Sequence, residues 1–178
     1  NLFGPDGEFP ESVQYAGSTA RLVHYLMAEH YAAGGRADCF RHYGFDRFLR
    51  WYLHCVLPPG RVIGFGDPDP DMPPVVFHFA AMASALREPV AQWLYLHYAS
   101  TSLDTTRQRS LELLYFDPSV ECVSPAGREP LGVAYGAIAQ IVSSRSSWEA
   151  DSCTSVLYAK ADIEHNHCHA DWGQVCLD

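Results

Sequence analysis

The feature that most restricts how this chain can fold is a change of hydrophobic period partway along it. Before about residue 117, apolar side chains recur at spacings of three and four. The clearest run is Phe45, Phe48, Leu49, Tyr52, Leu53 and Val56, which share one face of a helix that Pro58-Pro59-Gly60 must stop. From about 118 onward, alternation and β-branched residues take over, at 131–142, 153–160 and 165–177. Helices first and strands second predict an α+β protein or two adjoining domains, with a boundary between 1–117 and 118–178 near Ser124-Pro125-Ala126-Gly127. The same order excludes a βαβ nucleotide binder, and no phosphate-cradling glycine motif or nucleophile elbow occurs in a fitting context.

Within the helical part, residues 4–11 read as a turn-rich loop. A first helix is expected from Ser18 or Thr19, with Leu22, Val23, Leu26, Met27 and Tyr31 as its apolar side and Gly34-Gly35 as its stop. Further helices are expected at 75–86, at 89–99 with Pro89 in the first turn, and at 104–115 with Asp104 as cap. The proline-rich stretch 58–74 reads as a loop. Its alternating Asp67, Asp69 and Asp71 do not make a calcium hand, because prolines interrupt the pattern and no glutamate closes it.

A formal charge of −9 with no basic stripe argues against nucleic acid as a partner. No apolar run is long enough to span a bilayer, so no membrane partner is expected. The 6 cysteines include no C-x-x-C pair, which argues against a zinc knuckle and favours small buried thiols. The chain opens on Asn1-Leu2-Phe3-Gly4 and stops within an expected strand, as a fragment or mature piece would.

The densest chemistry lies in His165-Asn166-His167-Cys168-His169-Ala170-Asp171. In an extended strand, His165, His167, His169 and Asp171 share one face, while Asn166, Cys168, Ala170, Trp172 and Cys176 share the other. A titratable row backed by a largely apolar one suits a strand that lines a cleft or holds a metal. Neighbours two apart in a strand rarely all bind one metal, so at least one further ligand must come from elsewhere. Tyr15, between a turn-rich loop and a helix, is a second candidate, although on composition alone it is a packing aromatic. His24, His30, His42, His54, His78 and His97 fall mostly within expected helices and read as core or surface residues, with His78 singled out slightly by the loop before it. Arg145 is an anion contact or a turn residue.

These candidates fall within segments that resemble one family. The segment Asp6-Gly7-Glu8-Phe9-Pro10-Glu11-Ser12-Val13-Gln14-Tyr15, the loop Val62 to Asp67, the pair Arg145-Ser146-Ser147-Trp148 and Leu157-Tyr158-Ala159-Lys160-Ala161, and the strand Asn166 to Asp171 follow one another as in heparinase II/III-like polysaccharide lyases and the related glucuronyl epimerases of dermatan sulfate. Ser12 and Ala161 stand where glycine is usual in that family.

The resemblance implies a helical (α/α) toroid packed on an antiparallel β-sheet domain, with the site in the cleft between. It implies Tyr15 and His167 as catalytic residues, Asn166 as a contact for the substrate carboxylate, His169 as a ligand of a structural zinc, and Asp171 as the residue ordering that strand. Arg145 joins Asn166 on the substrate side. The family's upstream catalytic residue is expected to precede Asn1 and the remaining zinc ligands to follow Asp178. The implied partner is an anionic, uronate-containing polysaccharide, and the implied setting is secreted, periplasmic or lumenal. Two rivals stand beside a lyase: a uronyl C5-epimerase of the same fold, and a non-catalytic, zinc-stabilised glycan-binding module.

Overall fold

The computed structural model describes residues 3–67, 69, 71–101, 112–138, 140–159 and 173–178. Its first helix, α1 (Val13–Ala32), begins at Ser12 rather than at Ser18 or Thr19. Val13 and Ala16 are buried, so small apolar residues upstream of the expected start already belong to the packed face. Gly17 is part of the reason. A Cβ there would lie 2.9 Å from the Tyr52 hydroxyl and 3.1 Å from Val75 Cβ, so the bare backbone leaves room for both against α1. The helix ends as expected at Gly34, whose φ is +86. Gly34 N–H donates to Tyr31 O at 3.0 Å and Gly35 N–H to His30 O at 2.9 Å, a Schellman closure.

A short α2 (Cys39–His42) leads into α3 (Phe45–His54), the centre of the helical part. The apolar face read from the sequence is buried, and so are Trp51 and His54 from the other side of the helix. Phe3, Phe45, Phe48, Tyr52 and Phe79 stack edge and face around it, with Phe3 and Phe48 centroids 4.7 Å apart and Phe48 and Phe79 6.2 Å apart. The Tyr52 hydroxyl accepts a hydrogen bond from the Val75 amide at 2.8 Å, which satisfies a donor deep in this core. α4 (Phe79–Leu86) and α5 (Pro89–Tyr98) follow, with Glu88 capping the Val90 amide and Pro89 in the first turn. Of the helix expected at 104–115, the described part is the helical turn at 112–115.

Two features depart from the sequence reading. α3 ends before the prolines, and Val56, expected on its apolar face, begins a small antiparallel hairpin, β1 (Val56–Leu57) and β2 (Arg61–Val62), whose connection holds a cis Pro58–Pro59 bond. Strands of two residues are too short to announce themselves by alternation. The stretch 131–142 is not one strand but two. β3 (Gly132–Tyr135) and β4 (Ile141–Arg145) flank a turn in which Gln140 takes a left-handed φ of 50. With β5 (Thr154–Tyr158) and β6 (Gln174–Leu177) they form an antiparallel meander, β3-β4-β5-β6. The chain is therefore α+β.

β4 and β5 alternate cleanly. Ile141, Ser143 and Arg145 point inward with Thr154, Val156 and Tyr158, while Val142 and Leu157 face outward in register with Val175. Gly173, at φ +70, precedes β6, so the face parity of β6 does not carry back across it. Tyr52→Phe leaves the Val75 amide buried without its acceptor and is expected to cost about 1–3 kcal/mol, read from the midpoint of urea denaturation. An unchanged midpoint would mean that the amide had found another partner.

Candidate functional site

The loop at 3–10 is shaped by contact with α3. Gly7 has φ +90, and a Cβ on it would come within 2.3 Å of Arg47 C and 2.4 Å of Phe48 N. Only glycine lets the loop lie on the helix backbone there. This positions Glu8, which is fully buried. Its carboxylate accepts from the Asp6 amide at 3.0 Å and, across the molecule, from the Ile138 amide at 3.3 Å. Glu8 thus ties the N-terminal loop to the turn between β3 and β4. Sequence reasoning missed it, because nothing distinguishes this glutamate from a solvated loop acid until its partners are known.

Tyr15 lies in the first turn of α1, partly buried against the core. Beside it, Gln14 Oε1 accepts from the Asp69 amide at 3.2 Å, so the first turn of α1 touches the loop that follows Asp67. That loop reaches the sheet through Phe65, which stacks on Tyr158 with centroids 4.5 Å apart and planes 15° apart. Tyr158 ends β5 and pairs with Gln174 at the start of β6. Ile141, the start of β4, pairs with the same Tyr158. Three segments distant in sequence (the loop and helix start at 6–15, the loop at 62–69, and the end of β5) therefore meet at one end of the sheet. The chain leaves the sheet at that end after Ala159 and returns to it at Gly173. Asn166, His167, His169 and Asp171 fall between those points and lie outside the described residues.

Arg145 stands at the opposite end of β4, about 14 Å from Tyr158 at the usual rise of a strand. It is only 8% exposed. Its Nη2 donates to Val56 O at 3.1 Å and His54 O at 3.5 Å, and Ser143 Oγ donates to His54 O at 3.2 Å. The guanidinium lies over the Trp148 ring, 4.0 Å from its centroid. Burial pulls its basicity below the ordinary value, yet an arginine stays charged at neutral pH. Arg145 is therefore committed in large part to the end of α3. The structure does not bring it together with Tyr15.

The sequence pattern makes His54 an ordinary helix histidine beside an apolar face. Its ring is buried edge-on against Trp148 at 5.1 Å, and neither ring nitrogen has a hydrogen-bond partner among the described residues. Burial first, and the Arg145 charge second, push its pKa down to about 4.

Zinc, which the family resemblance implies, needs nitrogen, sulfur or carboxylate donors at tetrahedral positions. Among the described residues no group of three or more His, Cys, Asp or Glu could hold a metal ion, and His169 lies outside them. The donor types in 165–171 suit zinc, so the fit rests on that segment. Among the described residues no helix is long and apolar enough to cross a membrane.

The buried histidine makes a measurable prediction. The unfolded chain protonates His54 near pH 6.5 and the folded chain only near 4, so between these values the unfolded state binds more protons. Stability contributed by neutral His54 is complete above about pH 6.5 and is lost as the pH falls toward 4, by an amount on the order of 3 kcal/mol. Urea denaturation across that range should show the slope, and His54→Leu should flatten it. A wild-type slope that His54→Leu leaves intact would assign it to other groups.

No protein-family model matches the chain, and a search of curated proteins returns no match.

Proposed function

We propose that this chain carries part of a polysaccharide lyase of the heparinase II/III type, cleaving a uronate-containing glycan by β-elimination. In this reading the helices belong to an (α/α) toroid, and the described antiparallel sheet opens the second domain. One observation carries it. The segments that hold Tyr15, the loop around Phe65 and the end of β5 converge where the chain runs out toward His165–Asp171 and back. A cleft at that end would have a tyrosine hydroxyl on its helical side and an imidazole-rich segment on its sheet side.

The chemistry asks for those groups. A uronate C5 proton becomes acidic enough to remove only when donors neutralise the adjacent carboxylate and stabilise the enolate-like state. Asn166 is the donor assigned to that carboxylate. His167 takes the C5 proton, the electron pair forms the C4–C5 double bond, and the C4–O bond breaks. Tyr15 gives its phenolic proton to the departing oxygen and regains one from solvent. Where the proton lies on the tyrosine's own face, Tyr15 serves as both base and acid. His169 would hold the structural zinc, which supplies rigidity to the strand and takes no part in these transfers. Asp171 orients the neighbouring imidazoles. Such a glycan is met in secreted, periplasmic or lumenal compartments.

The test is ultraviolet absorbance of the unsaturated uronate end during incubation with a panel of uronate polysaccharides. It should use the longest natural polypeptide that contains this chain. Turnover is expected, with Tyr15→Phe and His167→Ala each lowering it by roughly 100-fold or more. A folded, zinc-loaded protein that stays silent on every polymer would refute the lyase. Solvent deuterium appearing at C5 without cleavage would mark the epimerase outcome, and affinity without either reaction would mark a binding module.

A further inference from the structure

The turn between α2 and α3 carries a cation that nothing in the described fold uses. Arg47 lies in the first turn of α3 and forms no ion pair among the described residues. Gly44 fixes where its head lies. A Cβ at Gly44 would stand 2.9 Å from Arg47 Nη2 and 3.5 Å from Cζ, so the guanidinium folds back over the turn. His42, Tyr43 and Phe45, on either side of that glycine, line a cavity of about 520 Å³ between the turn, the N-terminal loop and α1, and Arg47 lines it with them. The rest of the wall is apolar, with Phe3 and Pro5 from the loop and Val23 and Met27 from α1. Phe3, Met27 and Phe45 are buried, whereas Tyr43 is exposed. No aspartate or glutamate among the described residues lines the cavity. Asp6 meets Arg47 only at a separate hollow against β3, and it makes no ion pair there.

We propose that this cavity binds a free monocarboxylic acid with an apolar tail, its carboxylate on the Arg47 guanidinium and its tail against Phe3, Val23, Met27 and Phe45. An apolar hollow of this size with polar groups gathered on one side is the usual form of a small-molecule site. The planar fork of arginine suits a carboxylate, which can accept two parallel N–H bonds from it. An unopposed cation at the rim selects the acid over an amine of the same shape, and Met27 gives the tail an adaptable wall. The cavity shares no lining residue with the end of the sheet where Tyr15, Phe65 and Tyr158 lie, so the proposal stands apart from the lyase reading.

Isothermal titration calorimetry with straight-chain acids from butanoate to decanoate tests it, on the longest natural polypeptide that contains this chain. Wild type is expected to bind saturably, with affinity rising roughly fourfold per methylene until the cavity is filled. The alkylamine of equal length should bind about tenfold more weakly or worse. Arg47→Met, which keeps the stem and removes the charge, should erase the preference for acid over amine. Val23→Trp, which puts a ring into the cavity, should abolish binding of both. Affinity that does not rise with tail length would overturn the proposal, and so would an acid preference that survives Arg47→Met. Undiminished binding by Val23→Trp, folded by circular dichroism, would overturn it as well. Absence of binding by the folded wild type would do the same and leave the cavity to another part of the polypeptide.

Discussion

The hydrogen bonds from β4 to the last carbonyl of α3, at His54, decide how the sheet meets the helices. A helix ends with carbonyls that lack intrahelical partners and carry partial negative charge, and a cation placed there is stabilised by both. Arg145 and Ser143 meet the His54 carbonyl together, and Arg145 also reaches Val56 at the start of the small hairpin. Apolar surfaces alone would let the sheet slide or rotate over the core. Directional bonds from alternate residues of one strand fix both its register and its angle. At the far end of the same strand, Glu8 holds the turn and Phe65 holds Tyr158, so the sheet is pinned at both ends.

This arrangement makes the neutrality of His54 useful rather than incidental. A second cation packed against the guanidinium would be repelled and poorly hydrated. A neutral ring packs against Trp148 as an apolar edge while its backbone carbonyl accepts. The cost is that two ring nitrogens go without partners among the described residues, a penalty tolerated because imidazole is one of the few polar side chains that can discard its charge near neutrality.

Much of this could be read from the chain itself. The α3 face was legible because Phe45, Phe48, Leu49, Tyr52 and Leu53 fall on a single helical stripe, although Val56, read as its continuation, instead begins β1. The Gly34-Gly35 stop was legible because only glycine takes that turn without strain. The start of α1 was not, since Val13, Ala16 and Gly17 offer weak periodicity, and it is Tyr52 and Val75, distant in sequence, that make a glycine fit there. The division of 131–142 into two strands was hidden because alternation continues through the turn, whose position depends on Glu8. Alternation also left open which face turns inward, because Val142, Leu157 and Val175 are as apolar as their buried neighbours. Arg145 was legible as a residue with a task. That the task lies chiefly on α3 depends on a pairing about ninety residues away, which no local pattern carries.

The pairing of Tyr158 with Gln174 has a thermodynamic reach of its own. Adjacent strands hold the two ends of the 159–173 segment about 5 Å apart, so its closure entropy is already spent by sheet formation. Any ligand gathered by side chains within that segment then binds a chain whose ends are fixed, and linkage requires that it return the favour to the strand pair that fixes them. Because β5 also pairs with β4, and β4 grips α3, such a ligand would raise the cooperative stability of the helical core without touching it.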